Sequence, residues 1–550
     1  PSSALVHSAT MVKAGVYLLI RLSPALYGTL TGAMVAFIGG FTFIAASMMA
    51  IAQNDAKKVL AFSTVSNLGL IVACAGIGVE ETVWAAILLM IFHSVSKSML
   101  FEAVGATENS IGSRDIEHMH GLILRLPKLA YIMGIGIAGM YLAPFGMLIS
   151  KWVALKSFVD SGNVILVIFI AFGSATTMFY WTKWLGKLIA MHQPRNPEKD
   201  LTRKSEYFSM HVLGAIMILL CLLFPELARQ IVNPIVLTLF GQTTEVLSMS
   251  ELTTMVIMVF SVLIVPAVMF LISRSTHREY VPIYMCGINE GDNTHYTGSL
   301  GKPRKLYLTN WYLRFQTAAA EARRDHFSQC AHRHIRAAAG RCVMMIKVVS
   351  LLLYLCLAPF AGALLDGVDR KITARMQGRK GPKLLQPFYD LIKLFSKQMI
   401  AVNSVQLLLN LSYLAFLAIA GGILFFGSDI LMSLFILSTA DMFLILAACS
   451  DSSPFSNMGA SREMLQMMSY EPMTLLIAVG FYLSTGSFRV EDIIASPTSA
   501  IWLMPGLFIG FILIMAIKLR KSPFDLSTSH HAHQEMVKGL TTEMAGPILA

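Results

Sequence analysis

The stretch VILVIFIAFGSATTMF, residues Val164–Phe179, contains no charged side chain. Similar apolar runs recur at Met210–Phe224, Met255–Ile272 and Leu407–Phe426. A helix needs about 20 mostly apolar residues to cross a hydrocarbon core of roughly 30 Å. The repeated runs therefore predict an all-α, polytopic transmembrane protein. The composition agrees, because 55% of the residues are hydrophobic and only 14% are charged, against about 25% charged in an ordinary soluble protein.

About 13 to 14 spans are expected along the chain. They lie near residues 4–22, 30–52, 59–79, 84–104, 129–157, 163–190, 207–230, 253–273, 346–365, 404–426, 429–449, 470–485 and 501–517, with a further one beginning near 539. The fifth contains Pro144 and Gly146, which predicts a helix broken inside the membrane. The spans form a transmembrane domain at 1–275, a polar cytoplasmic junction at 276–344 and a second transmembrane domain at 345–550.

The formal net charge is +11, and its distribution argues against a nucleic-acid partner. Lys and Arg gather in every second short loop, where they set the cytoplasmic side of a membrane protein. This predicts a multi-pass protein of the cell membrane that is surrounded by lipid. The loop 366–403 is strongly basic but falls on the wrong side of this alternation, and residues 316–343 are too polar to cross a membrane. Either the span count is off by one, or the two domains are separate natural polypeptides; we favour the second interpretation.

The chain begins at Pro1 and ends at Ala550, in both cases inside an apolar stretch, so we expect a fragment at both ends. Its seven cysteines are scattered and form no CxxC motif. Iron–sulfur clusters and zinc sites need thiolates at close, repeated spacings. We therefore expect no metal site, no cofactor and no redox centre in this chain, and any electron-transfer chemistry would lie in partner subunits.

Three lysines lie within apolar runs of the first domain: Lys13, Lys97 and Lys151. A charge inside a membrane costs about 2.5 kcal/mol or more and marks a candidate functional residue. His93 precedes Lys97 by four positions, which places both on one helix face, and His7 precedes Lys13 by six. Burial disfavours the charged form of a lysine, and a reversible proton carrier needs this property. The alternative is that each lysine extends to the membrane interface without a role.

The second domain carries acidic and basic side chains at the edges of its spans. They are Arg462, Glu463, Glu471, Asp525, Glu535 and Glu543. Adjacent carboxylates near Arg or Lys have coupled protonation, so such a chain of groups is able to pass on a change of charge. His530, His531 and His533 also lie close together, but no carboxylate or thiolate pattern accompanies them to indicate a metal site.

Four motifs of the first domain together resemble the antiporter-like subunits of complex I and of energy-converting hydrogenases. They are the stretch Ala4–Leu19, the run Gln53–Thr64, the pair His93/Lys97 and the run Gly146–Lys151. The resemblance covers about residues 1–315 and lacks the N-terminal half of that family. It implies inverted repeats with broken helices. It also implies that Lys13, Lys97 and Lys151, with His7 and His93, lie on the hydrophilic axis of the proton path.

Three ordered motifs of the second domain resemble the complex I subunit that joins the membrane arm to the peripheral arm. They are the run Asp369–Lys393, the run Gly459–Pro472 and the run Lys521–Gly546. The resemblance implies a docking surface at Asp369, Arg370, Arg375, Arg379, His531 and His533. Members that use quinone carry glutamates where this chain has His531 and His533. The form found here resembles the version in energy-converting [NiFe] hydrogenases, which use no quinone.

These resemblances imply a non-catalytic membrane part of an Ech-type energy-converting hydrogenase. Electrons from reduced ferredoxin would reduce protons to hydrogen while protons or sodium ions cross the membrane. The implied partners are the hydrogenase large and small subunits and an iron–sulfur subunit, which would hold the [NiFe] centre and the iron–sulfur clusters. The alternatives are the membrane arm of complex I, a formate-linked hydrogenase, a stand-alone cation/proton antiporter, and a passive anchor that moves no ions.

Overall fold

The computed structural model is a bundle of helices. It describes residues 4, 6, 10–141, 146–190, 198–241, 249–284, 288–289, 295–297, 301–305, 340–451, 453–497, 499–520, 523–528 and 538–549. His7, His531, His533 and Glu535 lie outside the described residues.

Within the described residues, sixteen helices of eight residues or more build the bundle. They are α1 (Met11–Leu26), α2 (Leu30–Ile51), α3 (Ala56–Ile77), α4 (Glu80–Ile111), α5 (Pro127–Tyr141), α6 (Gly146–Asp160), α7 (Val164–Ile189), α8 (Lys204–Leu222), α9 (Asn233–Phe240), α10 (Met249–Ser275), α11 (Gly340–Met376), α12 (Gln386–Phe395), α13 (Ser404–Phe425), α14 (Ile430–Cys449), α15 (Pro454–Thr485) and α16 (Pro505–Lys518). Single helical turns lie at Ile116–Met119, Leu122–Arg125, Phe224–Leu227, Ala228–Val232, Val490–Ala495, Ala500–Leu503, Gly539–Thr541 and Gly546–Ile548.

The few strands are short. β1 (Glu279–Tyr280) pairs in parallel with β5 (Ile400–Ala401). β2 (Ile288–Asn289), β3 (His295–Thr297) and β4 (Pro303–Lys305) form an antiparallel meander. The predicted all-α membrane fold is confirmed.

Nine helices in the described part of the chain are long and apolar enough to cross a membrane. They are α2, α3, α4, α7, α8, α13, α14 and the main parts of α10 and α11. The other predicted spans correspond to α1, α15, α16 and the α5–α6 pair. These helices are shorter or, in the case of α15, carry charged side chains. The predicted break in the fifth span falls on residues 142–145, which lie outside the described residues; α5 precedes them and α6 follows them.

Side-chain caps and glycines set the ends of the central helices. Asp55 begins α3 by accepting a hydrogen bond from the Lys58 amide at 3.2 Å, which satisfies one of the free amides of the first turn. Gly78 ends α3 with a φ of +73°, a left-handed conformation that only glycine adopts without strain. The chain then turns directly into α4, which begins at Glu80.

Helices α2 and α3 pack backbone against backbone through glycines. A Cβ atom added at Gly39 would lie 2.4 Å from the Ala73 amide nitrogen and 2.7 Å from the Gly69 carbonyl oxygen. Small residues at such positions allow helices in membranes to approach closely. This seam fixes the position of α3, and α3 in turn carries the partners of Lys97 that are described below.

Replacing Gly39 by alanine should therefore destabilise the bundle. The atoms it would meet belong to the backbone of α3 and cannot rotate aside, and overpacking of this kind costs about 1–3 kcal/mol. Gly105→Ala is the matched control, because nothing lies within 4 Å of a Cβ at that position. We expect a lower unfolding temperature of the detergent-solubilised complex for Gly39→Ala but not for Gly105→Ala. Equal unfolding temperatures for the two variants would contradict the close packing of α2 on α3 at Gly39.

The basic loops of the first domain meet at one end of the bundle. The Ala56 amide donates to the Arg114 carbonyl at 2.8 Å, and the Ile116 amide donates to the Asn54 carbonyl at 2.8 Å. The Gly121 amide donates to the carbonyl of Lys187 at 2.9 Å. We call this side the basic end. Pairing of β1 with β5 places the segment after α10 beside the end of the basic loop 366–403.

Helix α11 begins at the opposite end of the bundle. Lys347 pairs with Glu491 at 2.6 Å, in the segment after α15 that contacts the α13–α14 turn through the bridge between Asp429 and Arg489. Strand β1 thus lies at the basic end and Lys347 at the opposite end. Residues 306–339 lie outside the described residues, and the interpretation as two natural polypeptides stays a prediction.

Three boundaries differ from the prediction. Helix α11 continues to Met376, so Asp369, Arg370 and Arg375 lie on a helix and not in a loop, because no glycine or proline lies between Gly367 and Gly378, whose φ is +71°. Helix α15 begins at Pro454 and includes Arg462 and Glu463, for which the sequence predicts a loop. Near residue 539 the chain forms only short turns at Gly539–Thr541 and Gly546–Ile548, and not the further span that the sequence predicts.

Candidate ion path and carboxylate cluster

Lys13, His93 and Lys97 form one buried polar cluster between α1, α3 and α4. The Lys13 ammonium donates to the Met90 carbonyl at 3.0 Å and to Ser94 Oγ at 2.8 Å, and it lies 3.0 Å from Nδ1 of His93. His93 and Lys97 are both 0% exposed. Three cationic groups this close cannot all be charged without a large Coulomb cost. The cluster therefore holds fewer protons than it has sites, as a proton carrier must.

Lys97 reaches across to α3 and α7. Its Nζ donates to the Leu60 carbonyl at 3.1 Å and also to Ser63 Oγ. It lies 4.9 Å from the centre of the Trp181 ring, at a distance that allows a cation–π contact. The helical spacing of four predicted that His93 and Lys97 share a face, and the structure places both side chains in this cluster.

Lys151 lies apart from this cluster, on α6. It is 6% exposed, and its Nζ is 5.8 Å from the Phe43 ring centre. Helix α6 packs against α4, which carries His93 and Lys97. Lys13 and Lys151 therefore lie on two helices that contact α4, and all three lysine side chains are buried within the bundle.

The two predicted acidic residues on α15 belong to two separate groups. Glu463 on α15 accepts hydrogen bonds from Arg520 at 3.1 and 3.3 Å and from Ser527. Arg520 has a φ of +48°, a strained backbone conformation for a residue with a side chain. Its guanidinium thus meets Glu463 immediately after α16 ends. The neighbouring Arg462 donates to the Leu526 carbonyl at 3.3 Å.

Two helical turns further along α15, Glu471 is 2% exposed and accepts a hydrogen bond from Ser438 Oγ at 2.6 Å. The preceding Tyr470 donates to Asp441 at 2.9 Å. Asp441 also pairs with Lys518 at 2.7 Å. Glu471 therefore belongs to a group of acidic, basic and hydroxyl side chains on α14, α15 and α16, in which Asp441 and Lys518 are partly exposed. We call it the carboxylate cluster: Ser438, Asp441, Tyr470, Glu471 and Lys518.

Glu543 lies near Asp451, outside the spans. Gln406 Nε2 donates to Asp451 Oδ2 at 3.3 Å and to the Glu543 carbonyl at 3.4 Å. Burial raises the pKa of Asp451 well above its usual range, and the nearby Glu543 carboxylate raises it further. Burial also raises the pKa of Glu543, against the effect of a hydrogen bond from the Tyr284 amide at 2.8 Å. Two carboxylates that resist ionisation together titrate as a coupled pair.

The structure does not bring Asp525 into either acidic group by any side-chain bond among the described residues. Asp525 is half-buried in the segment that packs on α15.

The four predicted docking residues that the structure describes lie on a largely exposed surface at the end of α11. Arg370 pairs with Asp366 and Asp390, both at 2.8 Å, while Arg375 and Arg379 are exposed and Asp369 is half-buried. Hydrogen bonds from Gln386 and Arg370 lower the pKa of Asp390.

Sequence reasoning missed several buried charges. Asp441 and Lys518 lie in or at the end of apolar runs and are not among the predicted site residues. Lys187 has the sequence context of a topology-setting loop charge, but it is 6% exposed and pairs with Glu117 at 2.8 Å. Lys183, four residues earlier, is also buried. Their i, i+4 spacing on α7 is the signal that would have found them.

The two domains contact each other through these charged regions. The Tyr141 hydroxyl at the end of α5 donates to Met442 Sδ at 2.7 Å, next to Asp441. A Cβ added at Gly186 on α7 would lie 3.0 Å from Cys449 Sγ at the end of α14. Tyr482 donates to Asp160 at 2.5 Å. No described group of three or more His, Cys, Asp or Glu side chains has the arrangement of a metal site.

Two protein-family models match the chain. Residues 1–177 match the family described as NADH:quinone oxidoreductase/Mrp antiporter, TM, and residues 347–550 match the family described as NADH dehydrogenase. The predicted resemblances to an antiporter-like domain and to a complex I subunit 1-like domain are confirmed at this level. The first match includes Lys13, His93, Lys97 and Lys151, and the second includes the carboxylate cluster.

Two similar curated proteins are subunits of Na(+)/H(+) antiporters. One from Staphylococcus saprophyticus is 32% identical over 275 residues, which cover 44% of this chain and 34% of that protein. Another, from Bacillus subtilis, is 35% identical over 224 residues, which cover 36% of this chain and 28% of that protein. The chain thus spans about a third of the length of the curated relatives it matches.

Two solved structures share a distant likeness. The membrane-bound sulfane sulfur reductase, an archaeal respiratory membrane complex, aligns with a TM-score of 0.39 and 20% identity over 48% of this chain and 50% of that chain. The Mrp complex from Dietzia sp. DQ12-45-1b aligns with a TM-score of 0.40 and 19% identity over 95% of this chain and 50% of that chain. At these scores neither carries an argument about function.

Proposed function

We propose that this chain, which joins an antiporter-like membrane domain to a complex I subunit 1-like domain, moves protons or sodium ions across a membrane as part of a larger redox complex. The observation that carries the proposal is the contact of Lys13 with His93 at 3.0 Å, one helical turn from Lys97, with all three side chains shielded from solvent in the first domain. Groups that share a limited number of protons in a dry interior pass them on when a neighbouring charge changes.

The second domain supplies the neighbouring charges. The carboxylate cluster lies on α14, α15 and α16, and α15 and α14 pack against α7 of the first domain. Helix α7 contacts Lys97 through Trp181. A change in protonation of the carboxylate cluster therefore reaches the lysines through contacts within the protein. This arrangement suits a membrane arm that responds to an electron-transfer reaction on its docking surface.

The finer proposal is an Ech-type energy-converting [NiFe] hydrogenase. Partner subunits would hold the [NiFe] centre and the iron–sulfur clusters, and electrons from reduced ferredoxin would reduce protons to hydrogen. The sequence His530-His-Ala-His533-Gln-Glu535 supports this interpretation, because it replaces the glutamates of quinone-using relatives. Complex I and a formate-linked hydrogenase use the same kind of membrane arm and are alternative outcomes of the test below.

A second candidate function is cation/proton antiport without a redox partner. The names of the curated relatives, which are Na(+)/H(+) antiporter components, favour it. Under this interpretation a sodium gradient by itself drives protons through the lysine cluster. The subunit 1-like match of residues 347–550 favours the redox-linked function.

The test uses inverted membrane vesicles that contain the complete complex. Reduced ferredoxin is added, and hydrogen evolution is followed together with acidification of the lumen. We expect both, and we expect Lys151→Ala to slow acidification about tenfold while hydrogen evolution continues, because one buried carrier is removed from the path. The exposed Lys199 provides the control Lys199→Ala, which should acidify at the wild-type rate.

Each alternative predicts a different result in the same vesicles. Quinone-dependent activity without hydrogen would favour the complex I interpretation. Hydrogen evolution only with formate would favour the formate-linked complex. Acidification driven by a sodium gradient with no electron donor would favour the antiporter. Equal rates of acidification in Lys151→Ala and the wild type would show that Lys151 is not part of the ion path.

A further inference from the structure

One face of α7 carries a stripe of buried hydrogen-bonding side chains, which we call the α7 stripe: Thr176, Thr177, Tyr180, Lys183 and Lys187. Steps of three or four residues place them on the same side of the helix. None is more than 6% exposed. At 1.5 Å per residue, the distance from Thr177 to Lys187 is about 15 Å, or half of the roughly 30 Å hydrocarbon core.

The inner end of the α7 stripe meets Lys97. Tyr180 is 2% exposed and its hydroxyl makes no hydrogen bond within the described residues, so it is available to a passing proton, and Ser63 of α3 accepts a hydrogen bond from Lys97. The Trp181 ring, next along α7, covers Lys97 at 4.9 Å. The stripe therefore begins at the most buried lysine of the cluster described above.

The outer end of the α7 stripe meets Glu117 at the basic end of the bundle. Lys187 Nζ lies 2.8 Å from Glu117 Oε2, and both side chains are less than 10% exposed. The Gly121 amide binds the Lys187 carbonyl at 2.9 Å, which holds the Glu117 loop against the last turn of α7. Glu117 is the carboxylate at which the buried stripe reaches the loops of the basic end.

Lys183 lies between these two ends. It is 4% exposed and donates to the neutral Asn54 side chain at 3.2 Å. The Asn54 carbonyl accepts the Ile116 amide at 2.8 Å, so the same loop that carries Glu117 holds Asn54 in place. A latch between loops and helix needs only the Lys187–Glu117 pair. Lys183 is a second buried lysine, one turn closer to Lys97, and a buried lysine is expensive in a membrane.

We propose that the α7 stripe is the branch of the ion path that connects Lys97 with the basic end of the bundle. This inference rests on the proposed function. A proton that binds the Glu117 carboxylate neutralises it and leaves the Lys187 ammonium without its counter-charge. Lys187 then releases its proton to the neutral amine of Lys183, and Lys183 passes it past Tyr180 and Ser63 to Lys97. The proton on Glu117 then moves to the neutral Lys187 amine, which restores the ion pair for the next cycle.

The experiment compares Lys183→Met with Lys183→Arg in inverted vesicles that contain the complete complex. Proton flux is driven by an imposed pH jump and read from a pH-sensitive dye trapped in the lumen, so no electron donor is needed. Arginine keeps the positive charge and the hydrogen-bond donors but does not release its proton. We expect both variants to conduct about tenfold more slowly than the wild type, and Glu117→Gln to be slowed likewise, with equal amounts of assembled complex.

A structural role for Lys183 would give a different pattern, because Lys183→Arg would then conduct at the wild-type rate. That result, or wild-type flux in Lys183→Met, would overturn the inference. Lys199→Met is the control for loss of a surface charge. Lys151→Ala separates the two proposals: slow flux in Lys151→Ala with normal flux in Lys183→Met refutes the α7 stripe alone, whereas normal flux in Lys151→Ala refutes the lysine path and the stripe with it.

Discussion

Replacing Lys97 by methionine is expected to lower the rate of ion movement about 100-fold, the scale of one positioned proton-transfer group. Lys97 is 0% exposed, and its ammonium joins α3 to the cluster of α1 and α4 through Leu60 and Ser63. Methionine has nearly the same length and fills the space under Trp181, so the helices should still pack. It carries no proton, so the link between the Lys13–His93 pair and α7 is lost.

The measurement is lumen acidification in inverted vesicles, normalised to the amount of assembled complex. Lys199→Met provides the control, since Lys199 is exposed. Lys97→Arg extends the test, because arginine retains the charge but does not release its proton. Acidification at the wild-type rate in either Lys97 variant would show that the ion bypasses Lys97.

Replacing Glu471 by glutamine is expected to separate electron transfer from ion movement. The glutamine keeps the size of the side chain and can still accept the hydrogen bond from Ser438 that Glu471 receives at 2.6 Å. It cannot take up or release a proton, so the carboxylate cluster loses the group next to Tyr470 and Asp441. We expect the number of ions moved per hydrogen molecule to fall about tenfold while hydrogen evolution continues.

The quantity to measure is the ratio of acidification to hydrogen evolved in the same vesicles. Glu226→Gln is the matched control, because Glu226 lies outside the carboxylate cluster and accepts a hydrogen bond from Gln230 at 2.9 Å, four residues along the same exposed segment. An unchanged ratio of acidification to hydrogen in Glu471→Gln, with electron transfer continuing, would contradict the coupling role proposed for Glu471. Loss of both activities would instead indicate that Glu471 acts in assembly or docking.

Much of the lysine cluster was predictable because its members are charged residues in segments that are otherwise apolar. Lys13, Lys97 and Lys151 interrupt apolar runs. Because a charge in a membrane is costly, each of these lysines can be recognised as a candidate from the sequence alone. His93 was found by its spacing of four from Lys97. Their mutual contacts were not predictable in the same way: Lys13 and His93 are 80 positions apart, and only the packing of α1 on α4 brings them within hydrogen-bond distance.

The residues that were missed resemble ordinary features of membrane proteins. Lys183 and Lys187 lie near the end of a span, where lysines commonly set topology. The structure buries both, because the loop that carries Glu117 folds back over the end of α7. Asp441 lies in a helix that is otherwise apolar, and its partners Tyr470 and Lys518 come from two other helices.

By itself, the sequence determined the membrane fold, the approximate spans and the lysines that carry the functional argument. These follow from hydrophobicity, helix breakers and charge, which act over one or a few turns of a helix. The tertiary structure alone decided which buried charges meet. Burial, counter-charges and the continuity of a path through α7 depend on contacts between segments far apart in the chain, because helices in a membrane are brought together by close packing and interhelical hydrogen bonds and not by their local sequence.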